Sequence, residues 1–339
     1  MNKPRNHELT LDTSLQQSHD KNPSVCEPKP KTFWLRGKIS AIIVVKDQPP
    51  HLDETLESID LLVDEIIIGD INLSPDQIHK LFNNPKIKIH KIASDTPFAD
   101  VVKEDLKKIA KNEYVLYLDP DEVFPNRTIG FIKTHLNNYD CFLFPRQNII
   151  FNKWIEHSRW WPDNQVRLYR KTSVIWPKNV HPQPKISGKQ FCFEAKAENA
   201  IIHYNYESLD QFLEKATRYA KSEVNELIQT KQSLSLSTTI SKALSEFISR
   251  FFAHEGYRDG MHGFVLAFLQ MFYYFLVYFY FWEKNKFQSD QKEKIHKIPQ
   301  LYFKQGLFET NYWLIKQNLT SPLSKLKNKF INKILSLFS

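Results

Sequence analysis

Glycine and cysteine are scarce in this sequence, which has 8 Gly and 3 Cys among 339 residues. Cys26, Cys141 and Cys192 lie far apart, so they predict neither a disulfide framework nor a metal site, and they fit a reducing compartment. Residues 1–31 are polar and contain no apolar core, so we expect no secretory signal there. Zinc-ligand spacings, Arg-rich tracts and an aromatic RNA-binding signature are also missing from the sequence. A nucleic-acid partner is therefore not expected.

Aromatic residues and positive charge are abundant. The chain has 25 Phe, 14 Tyr and 7 Trp, and its formal net charge is +8 at pH 7. A basic protein without nucleic-acid signatures fits an anionic membrane face or phosphorylated substrates. Composition also divides the chain: we expect a disordered polar tail at residues 1–32, a folded α/β domain at 33–230, and an apolar, basic helical extension at 231–339.

Apolar strands alternate with amphipathic helices in the first part of the folded domain. The predicted strands are 39–45, 65–69, 87–92 and 114–118, and the helices between them cover 51–62, a segment starting at Ser74, and 100–111. This alternation predicts an α/β fold with a doubly wound, mostly parallel sheet and helices on both faces. After residue 138 we expect a strand at 139–150, a strand ending at 170–171, a strand at 200–206 and a helix at 208–229.

Two carboxylates, Asp119 and Asp121, directly follow the fourth predicted strand. In open α/β sheets the ligand site lies beyond the carboxyl ends of the strands. Two carboxylates at such a place suit a hard divalent cation that carries phosphates. The alternative is a solvated Asp-Pro-Asp turn that caps the next helix. This stretch alone favours neither reading.

Several further segments occur in a specific order. They are the first strand with Lys46, the second strand ending at Asp70, the Asp-Pro-Asp stretch, an Arg- and Trp-rich block at 145–170, and the strand that contains His203, which Lys215, Arg218 and Tyr219 follow on the next helix. Together they resemble the inverting glycosyltransferases of family 2, in particular the bacterial branch that builds lipopolysaccharide cores and related surface glycans. The resemblance spans about residues 38 to 285.

The resemblance implies a GT-A catalytic domain at 33–230 and transfer of a sugar, with inversion, from a nucleotide-sugar donor to a glycolipid or lipid-linked glycan. It implies Mg²⁺ or Mn²⁺ to neutralise the diphosphate leaving group. The residues that match are Asp121 and His203 for the metal; Lys46, Asp70, Asp119, Arg167 and Arg170 for the donor; Arg146, Trp160 and Trp161 for the acceptor; and Asp163 as the catalytic base.

Each of these roles has a structural alternative. We expect the Trp-Pro neighbourhood of Asp163 to raise its pKa, but a turn carboxylate paired with Arg167 fits the same residues. The arginines fit ion pairs, His203 fits a structural strand histidine, and the tryptophans fit core packing.

The chain also departs from the family pattern, mostly on the nucleotide side. The departures are Asp47-Gln48, 71–76, Lys103 and, beyond the nucleotide side, Pro182 after His181. Pro182 stands where the family often has a Glu, so one alternative catalytic base is missing. These departures leave open a weakly active or inactive nucleotide-binding membrane scaffold of the same fold.

The C-terminal third contains an uncharged apolar run at 263–282 and a Lys-rich amphipathic segment at 322–339. The run is long enough to span a bilayer, to lie in its interface, or to pack on the domain. The Lys-rich flank and cytoplasmic nucleotide sugars together favour a peripheral or shallowly inserted protein on the cytoplasmic face of the inner membrane. The last segment predicts either contact with an anionic membrane surface or a helix that docks on the domain.

Overall fold

Strands with nearly continuous apolar sequences form the centre of the molecule. The computed structural model describes residues 38–94, 96, 99–177, 184–288 and 294–337. The predicted tail 1–32 lies outside these described residues. The strands are β1 (Ile39–Lys46), β2 (Glu65–Ile71), β3 (Ile87–Lys91), β4 (Tyr114–Leu118), β5 (Glu122–Val123), β6 (Cys141–Phe144), β7 (Arg146–Ile150), β8 (Lys153–Trp154), β9 (Gln165–Arg170), β10 (Val174–Ile175), β11 (Lys185–Ile186), β12 (Gln190–Cys192) and β13 (Ile201–Tyr206).

The large sheet has seven strands in the order β12-β6-β9-β4-β1-β2-β3. Strands β1, β2, β3 and β4 run parallel, while β9 runs antiparallel to both β4 and β6. The chain moves outward from β1 through β2 to β3 and then returns to place β4 on the other side of β1. The carboxyl ends of β1 and β4 therefore form the switch point at which such sheets bind ligands.

Helices cover both faces of this sheet, as predicted. The helices are α1 (Leu52–Ile59), α2 (Pro75–Leu81), α3 (Lys103–Ile109), α4 (Asn126–His135), α5 (Leu209–Gln229), α6 (Leu236–Ile248), α7 (Met261–Lys284), α8 (Ile298–Lys316) and α9 (Pro322–Leu337). Buried residues of α1, α2 and α4 pack on one face of the sheet, and Leu106 of α3 packs on the other. The α/β fold with its mostly parallel sheet is thus confirmed.

A smaller four-stranded sheet, in the order β5-β13-β7-β8, extends the site beyond the large sheet. The prediction of one continuous strand over 139–150 is wrong, because the chain leaves β6 in the large sheet and enters β7 in the small one. The break falls at Pro145, which has no N–H to donate to a sheet. This transfer between sheets carries Arg146 and Asn148 toward the end of β4.

The C-terminal helices pack on one another and on α5. Val277 of α7 is buried against Ala220 and Val224 of α5, while Phe264 and Phe268 on α7 are exposed. Among the described residues, α7 is the one helix whose length and composition would let it cross a membrane. Helix α8 lies inside the extension that was expected to be helical, but its bounds were not predicted, since its apolar residues show no clear helical stripe in the sequence.

Candidate active site

The turn after β4 places three acidic side chains at the switch point. Asp119 and Asp121 flank Pro120, whose carbonyl accepts a hydrogen bond of 3.1 Å from the Thr55 hydroxyl of α1. The Glu122 N–H donates to the Asp119 carbonyl at 3.1 Å, and the Asp119 N–H donates to the Glu122 carboxylate at 3.2 Å. These bonds fix the backbone of the turn and the position of the Glu122 carboxylate.

Strand pairing brings distant residues to this turn. Strand β13 pairs with β5, so that His203 lies opposite Glu122, and the Tyr204 N–H donates to the Asp121 carbonyl at 3.0 Å. On its other edge β13 pairs with β7, which sets His203 opposite Asn148. A third chain segment arrives through β9, whose antiparallel pairing with β4 places Arg167 beside the turn.

Two arginines and three acids form a charge cluster whose centre is buried. Arg167 donates from Nη2 to Asp119 at 2.9 Å and to Glu122 at 2.5 Å. Arg146 lies 3.3 Å from the same Glu122 oxygen through Nη1, and pairs with Asp163 through Nε at 2.8 Å and Nη2 at 2.6 Å. Glu122 is fully buried and Arg167 is 3 % exposed, so these two charges are stabilised by each other and not by solvent.

The two aspartates of the turn differ in their electrostatics. Burial raises the pKa of Asp119, but the positive charges of Arg167 and Lys103 outweigh it and hold the pKa well below its usual range. Burial and the negative charge of Asp119 raise the pKa of Asp121 to about 7. Asp119 is therefore ionised, and nearby cationic side chains balance its charge. The charge of an ionised Asp121 is not fully balanced by the protein.

His203 faces Asp121 from β13. Its Nε2 lies 3.7 Å from Asp121 Oδ1, and its Nδ1 lies 2.7 Å from the side-chain oxygen of Asn148. Burial and the charge of Arg146 hold the pKa of His203 well below its usual range, so the ring is neutral near pH 7. A neutral imidazole beside a carboxylate is a donor pair for a divalent cation.

The fit of this pair to a metal ion is partial. Within the described residues, no three His, Cys, Asp or Glu side chains are close enough together to hold a metal. Asp121 and His203 would thus supply two ligands, and Mg²⁺ and Mn²⁺ commonly take their remaining ligands from substrate phosphates and water. The residues present fit an ion that arrives with a phosphorylated ligand.

The expectation for the pKa of Asp163 is wrong in sign. Burial raises the pKa of this carboxyl, but Arg146 and the hydrogen bonds from Asn148 and Gln165 lower it further than burial raises it. One oxygen accepts from Arg146 and from Asn148 at 3.0 Å, and the other accepts from Gln165 at 2.8 Å. The alternative interpretation paired Asp163 with Arg167, but the structure pairs Asp163 with Arg146. Asp163 is an ionised, firmly held carboxylate.

Of the residues expected on the donor side, Lys46 and Asp70 lie at the correct edge of the sheet. Lys46 ends β1 and its side chain is exposed. Asp70 is 1 % exposed, accepts a bond of 2.7 Å from the Leu73 N–H, and lies 3.7 Å from Lys91. Its carboxylate therefore shapes the turn after β2.

Arg170 does not belong to the site. Strand β9 runs antiparallel to β4, so Arg170 pairs with Tyr114 at the start of β4, the far end from Asp119. Its guanidinium contacts Glu113 and lies 3.1 Å from Asp140. The prediction that Arg170 binds the donor is corrected by the direction of this strand. Arg167, three residues earlier, does reach the site. It forms ion pairs with Asp119 and Glu122 and is shielded from solvent.

The two predicted acceptor tryptophans have different surroundings. Trp160 packs with Ile150, Ile155 and Leu266, so it belongs to a small apolar cluster. Trp161 lines a cavity of about 440 Å³ together with Pro162, Asp163, His157 and Arg159. Only Trp161 of the pair is placed to contact a ligand there. The third predicted acceptor residue, Arg146, is instead a link between Glu122 and Asp163.

Four site residues were given no role at the sequence level. Glu122 and Asn148 are fully buried at the centre of the cluster. Lys103 lies over the rings of Tyr117 and Trp176, at 4.1 and 4.2 Å from their centroids, and Lys215 donates to the Asn205 carbonyl at 2.9 Å. The available sequence signals were the position of Glu122 directly after the two aspartates and that of Asn148 beside two isoleucines in β7. His181 and Pro182 lie outside the described residues.

No family model matches the chain. Two solved structures of TarS from S. aureus, one of them with UDP and one with UDP-GlcNAc, each cover 72% of this chain and 91% of their own, with TM-scores of 0.38 and 0.39 and 14% identity.

Relatives found by sequence cover a similar share of the chain. An uncharacterized glycosyltransferase of Rickettsia conorii is 25% identical over 281 residues, which are 77% of this chain and 97% of the relative. A second, from Rickettsia felis, is 24% identical over 255 residues, or 70% of this chain and 87% of the relative. The chain is thus similar along most of its length to proteins named as glycosyltransferases, and this similarity supports the prediction of a sugar-transferring enzyme.

Proposed function

We propose that this protein is a metal-assisted, inverting glycosyltransferase of the family 2 type. It moves a sugar from a nucleotide-sugar donor to a glycolipid or lipid-linked glycan. The observation that carries the proposal is the contrast between the two aspartates of the turn. Asp119 forms an ion pair with Arg167, whereas Asp121 faces His203 at the switch point without a full counter-charge.

The leaving group of this reaction is a nucleoside diphosphate, whose negative charge grows as the sugar bond breaks. Asp121 and His203 would hold Mg²⁺ or Mn²⁺, which would supply positive charge to that diphosphate. Lys215 adds protein charge on the same side, since its ammonium interacts electrostatically with both Asp121 and Asp119. Arg167 acts through Asp119 by keeping this carboxylate ionised and in place.

On the donor side, we propose that the nucleotide lies over the carboxyl ends of β1 and β4. Lys46 is exposed at that edge and is available to a phosphate or base. Asp70 contributes by fixing the turn that follows β2, through its bond to the Leu73 N–H.

On the acceptor side, we propose that Asp163 accepts the proton of the attacking hydroxyl. Its lowered pKa keeps it ionised, and thus able to accept a hydrogen bond, well below neutral pH. The cavity beside it, with Trp161 as one wall, is large enough for a sugar ring. Inversion follows if the hydroxyl approaches from the Asp163 side, opposite to the diphosphate.

We further propose that the C-terminal helices hold the enzyme on the cytoplasmic face of the inner membrane without a simple span. The helix α7 buries one side against α5 and α6 and exposes Phe264, Phe268 and Trp282 on another. On α9, Leu323, Leu326 and other apolar residues are exposed beside four lysines. An aromatic and a basic amphipathic surface together suit an anionic membrane.

A transfer assay tests the proposal. The purified protein is incubated with a panel of sugar nucleotides and Mn²⁺, and release of nucleoside diphosphate is measured with and without membrane glycolipid. We expect metal-dependent release for one donor, with at least a 100-fold loss in Asp121→Ala and Asp163→Asn. Arg170→Gln is the matched control, because Arg170 lies at the opposite sheet edge. Full activity in Asp121→Ala and Asp163→Asn contradicts the mechanism.

A second candidate, a nucleotide-binding membrane scaffold without turnover, is favoured by one observation. The carboxylate of Asp70 is closed off from solvent and used within its own turn. A scaffold predicts that nucleoside diphosphates raise the melting temperature while no donor in the panel is consumed. Consumption of any donor excludes it.

A further inference from the structure

The buried amide of Asn148 connects the two halves of the site. It lies on β7 opposite His203 of β13, and its side chain is fully shielded from solvent. Its nitrogen is 2.8 Å from the Trp160 carbonyl and 3.0 Å from Asp163 Oδ2, and its oxygen is 2.7 Å from His203 Nδ1.

The partners of this amide determine its orientation. A carbonyl oxygen and an ionised carboxylate only accept hydrogen bonds, so the atom that faces Trp160 and Asp163 must be the amide nitrogen. The amide oxygen therefore faces β13, where the Asn205 amide nitrogen also points toward it at 3.5 Å. An oxygen acceptor at 2.7 Å from a ring nitrogen requires that the nitrogen carry the proton.

The orientation of Asn148 thus decides the tautomer of His203. With its proton on Nδ1, a neutral imidazole has its lone pair on Nε2, the atom 3.7 Å from Asp121. The opposite tautomer would place a hydrogen there and would block coordination. Metal-binding histidines depend on such a partner for the other ring nitrogen.

We propose that Asn148 is a positioning residue that fixes the Nδ1–H tautomer of His203 and thereby presents Nε2, with Asp121, to a divalent cation. The same amide donates to Asp163, so one side chain sets the geometry of both the cation pair and the proposed base. This inference rests on the proposed metal-assisted function, but the tautomer itself is a property of the metal-free protein.

The first test is therefore made without metal. Two-dimensional ¹⁵N–¹H spectra of ¹⁵N-histidine protein, with His203→Gln to assign the signal, report which ring nitrogen is protonated. We expect a single Nδ1–H tautomer in the wild-type protein and a mixture or the Nε2–H form in Asn148→Leu. A wild-type Nε2–H tautomer overturns the proposal, whatever the variants do.

The second test measures Mn²⁺ binding by the loss of the free-ion electron paramagnetic resonance signal. We expect Asn148→Leu to weaken binding about 10- to 100-fold, the usual effect of losing a partner of a metal-bound histidine. In Asn148→Gln an amide can still accept from Nδ1–H and donate to Asp163, so this variant should weaken binding less than Asn148→Leu does. Asn311→Ala removes a buried amide on α8, where it donates to Asn332, and it should stay within a few-fold.

Unchanged Mn²⁺ binding in Asn148→Leu overturns the inference. If the wild-type protein binds no Mn²⁺ even with a saturating nucleoside diphosphate present, the proposed metal dependence is contradicted, and the tautomer spectrum then still decides the role of Asn148. Circular dichroism of each variant identifies one that fails to fold, and in that case the wild-type spectrum and Asn148→Gln carry the test.

Discussion

Replacing Asp121 with Asn is expected to make the metal-free protein progressively more stable than wild type as the pH rises. In the folded protein, burial and the negative charge of Asp119 raise the pKa of Asp121 from 3.8 to about 7. A group whose pKa is raised by folding contributes stability that is present below its unfolded pKa and is lost as the pH rises through its folded pKa. Asn carries no titrating proton, so the variant does not suffer this loss.

The size of the effect follows from the two pKa values. A difference from 3.8 to about 7 spans about three pH units. At 1.36 kcal/mol for each, the wild-type protein loses up to about 4 kcal/mol between pH 4 and pH 8 that the variant keeps. This is a large fraction of the stability of an ordinary folded protein.

Urea unfolding in the presence of a chelator measures this difference at a series of pH values. The free energy of unfolding of Asp121→Asn minus that of wild type should rise by several kcal/mol across the range, most steeply between the unfolded pKa of 3.8 and the folded pKa of about 7. Asp76→Asn, which changes an exposed carboxylate in the first turn of α2, is the matched control and should give a flat difference. A flat difference for Asp121→Asn as well would refute the electrostatic assignment.

Three further predictions test other parts of the structure. At pH 7.5, Mn²⁺ at 100 times its Kd should stabilise wild type by about 2.7 kcal/mol and Asp121→Asn far less, as measured by urea unfolding. Arg167→Met leaves Glu122 buried and poorly paired, so it should cost about 3–5 kcal/mol in the same assay; adding Glu122→Gln should recover part of that loss, and strictly additive effects would contradict the cluster. A Cβ at Gly263 would come within 1.7 Å of the Gly256 carbonyl oxygen, so Gly263→Ala should lower the melting temperature strongly, while Gly130→Ala, where nothing lies within 4 Å, should not; equal effects would argue against this helix contact.

The strands that build the large sheet were predictable because local sequence determines them. An apolar run such as Ile39–Lys46 or Tyr114–Leu118 has few alternatives to burial in a sheet, and the helices between such runs specify parallel pairing. Asp119 and Asp121 directly follow one of these strands, so their position at the sheet edge could be inferred as well. The prediction of a site at this edge needed no long-range information.

The contacts inside the site could not be predicted, because they depend on pairing between distant segments. Arg167 and Arg170 are three residues apart, yet only Arg167 reaches the carboxylates, since β9 runs antiparallel to β4. The pKa of Asp163 was expected to be raised because its aromatic neighbours are visible in the sequence. Its partner Arg146 is 17 residues away and reaches it only because Pro145 ends one strand and lets the chain change sheets.

The division of roles between the two aspartates of the turn, Asp119 and Asp121, follows from this long-range pairing. A guanidinium remains charged at any physiological pH, so the carboxylate that Arg167 contacts is permanently compensated. Its negative charge nevertheless raises the pKa of Asp121. The ionised form of Asp121 is therefore unfavourable in the empty site, and a bound cation would stabilise it. The affinity of Asp121 for that cation must rise with pH until the carboxyl group is fully ionised. Without Asp119 the pKa of Asp121 would fall, and this coupling between pH, cation and folding would weaken.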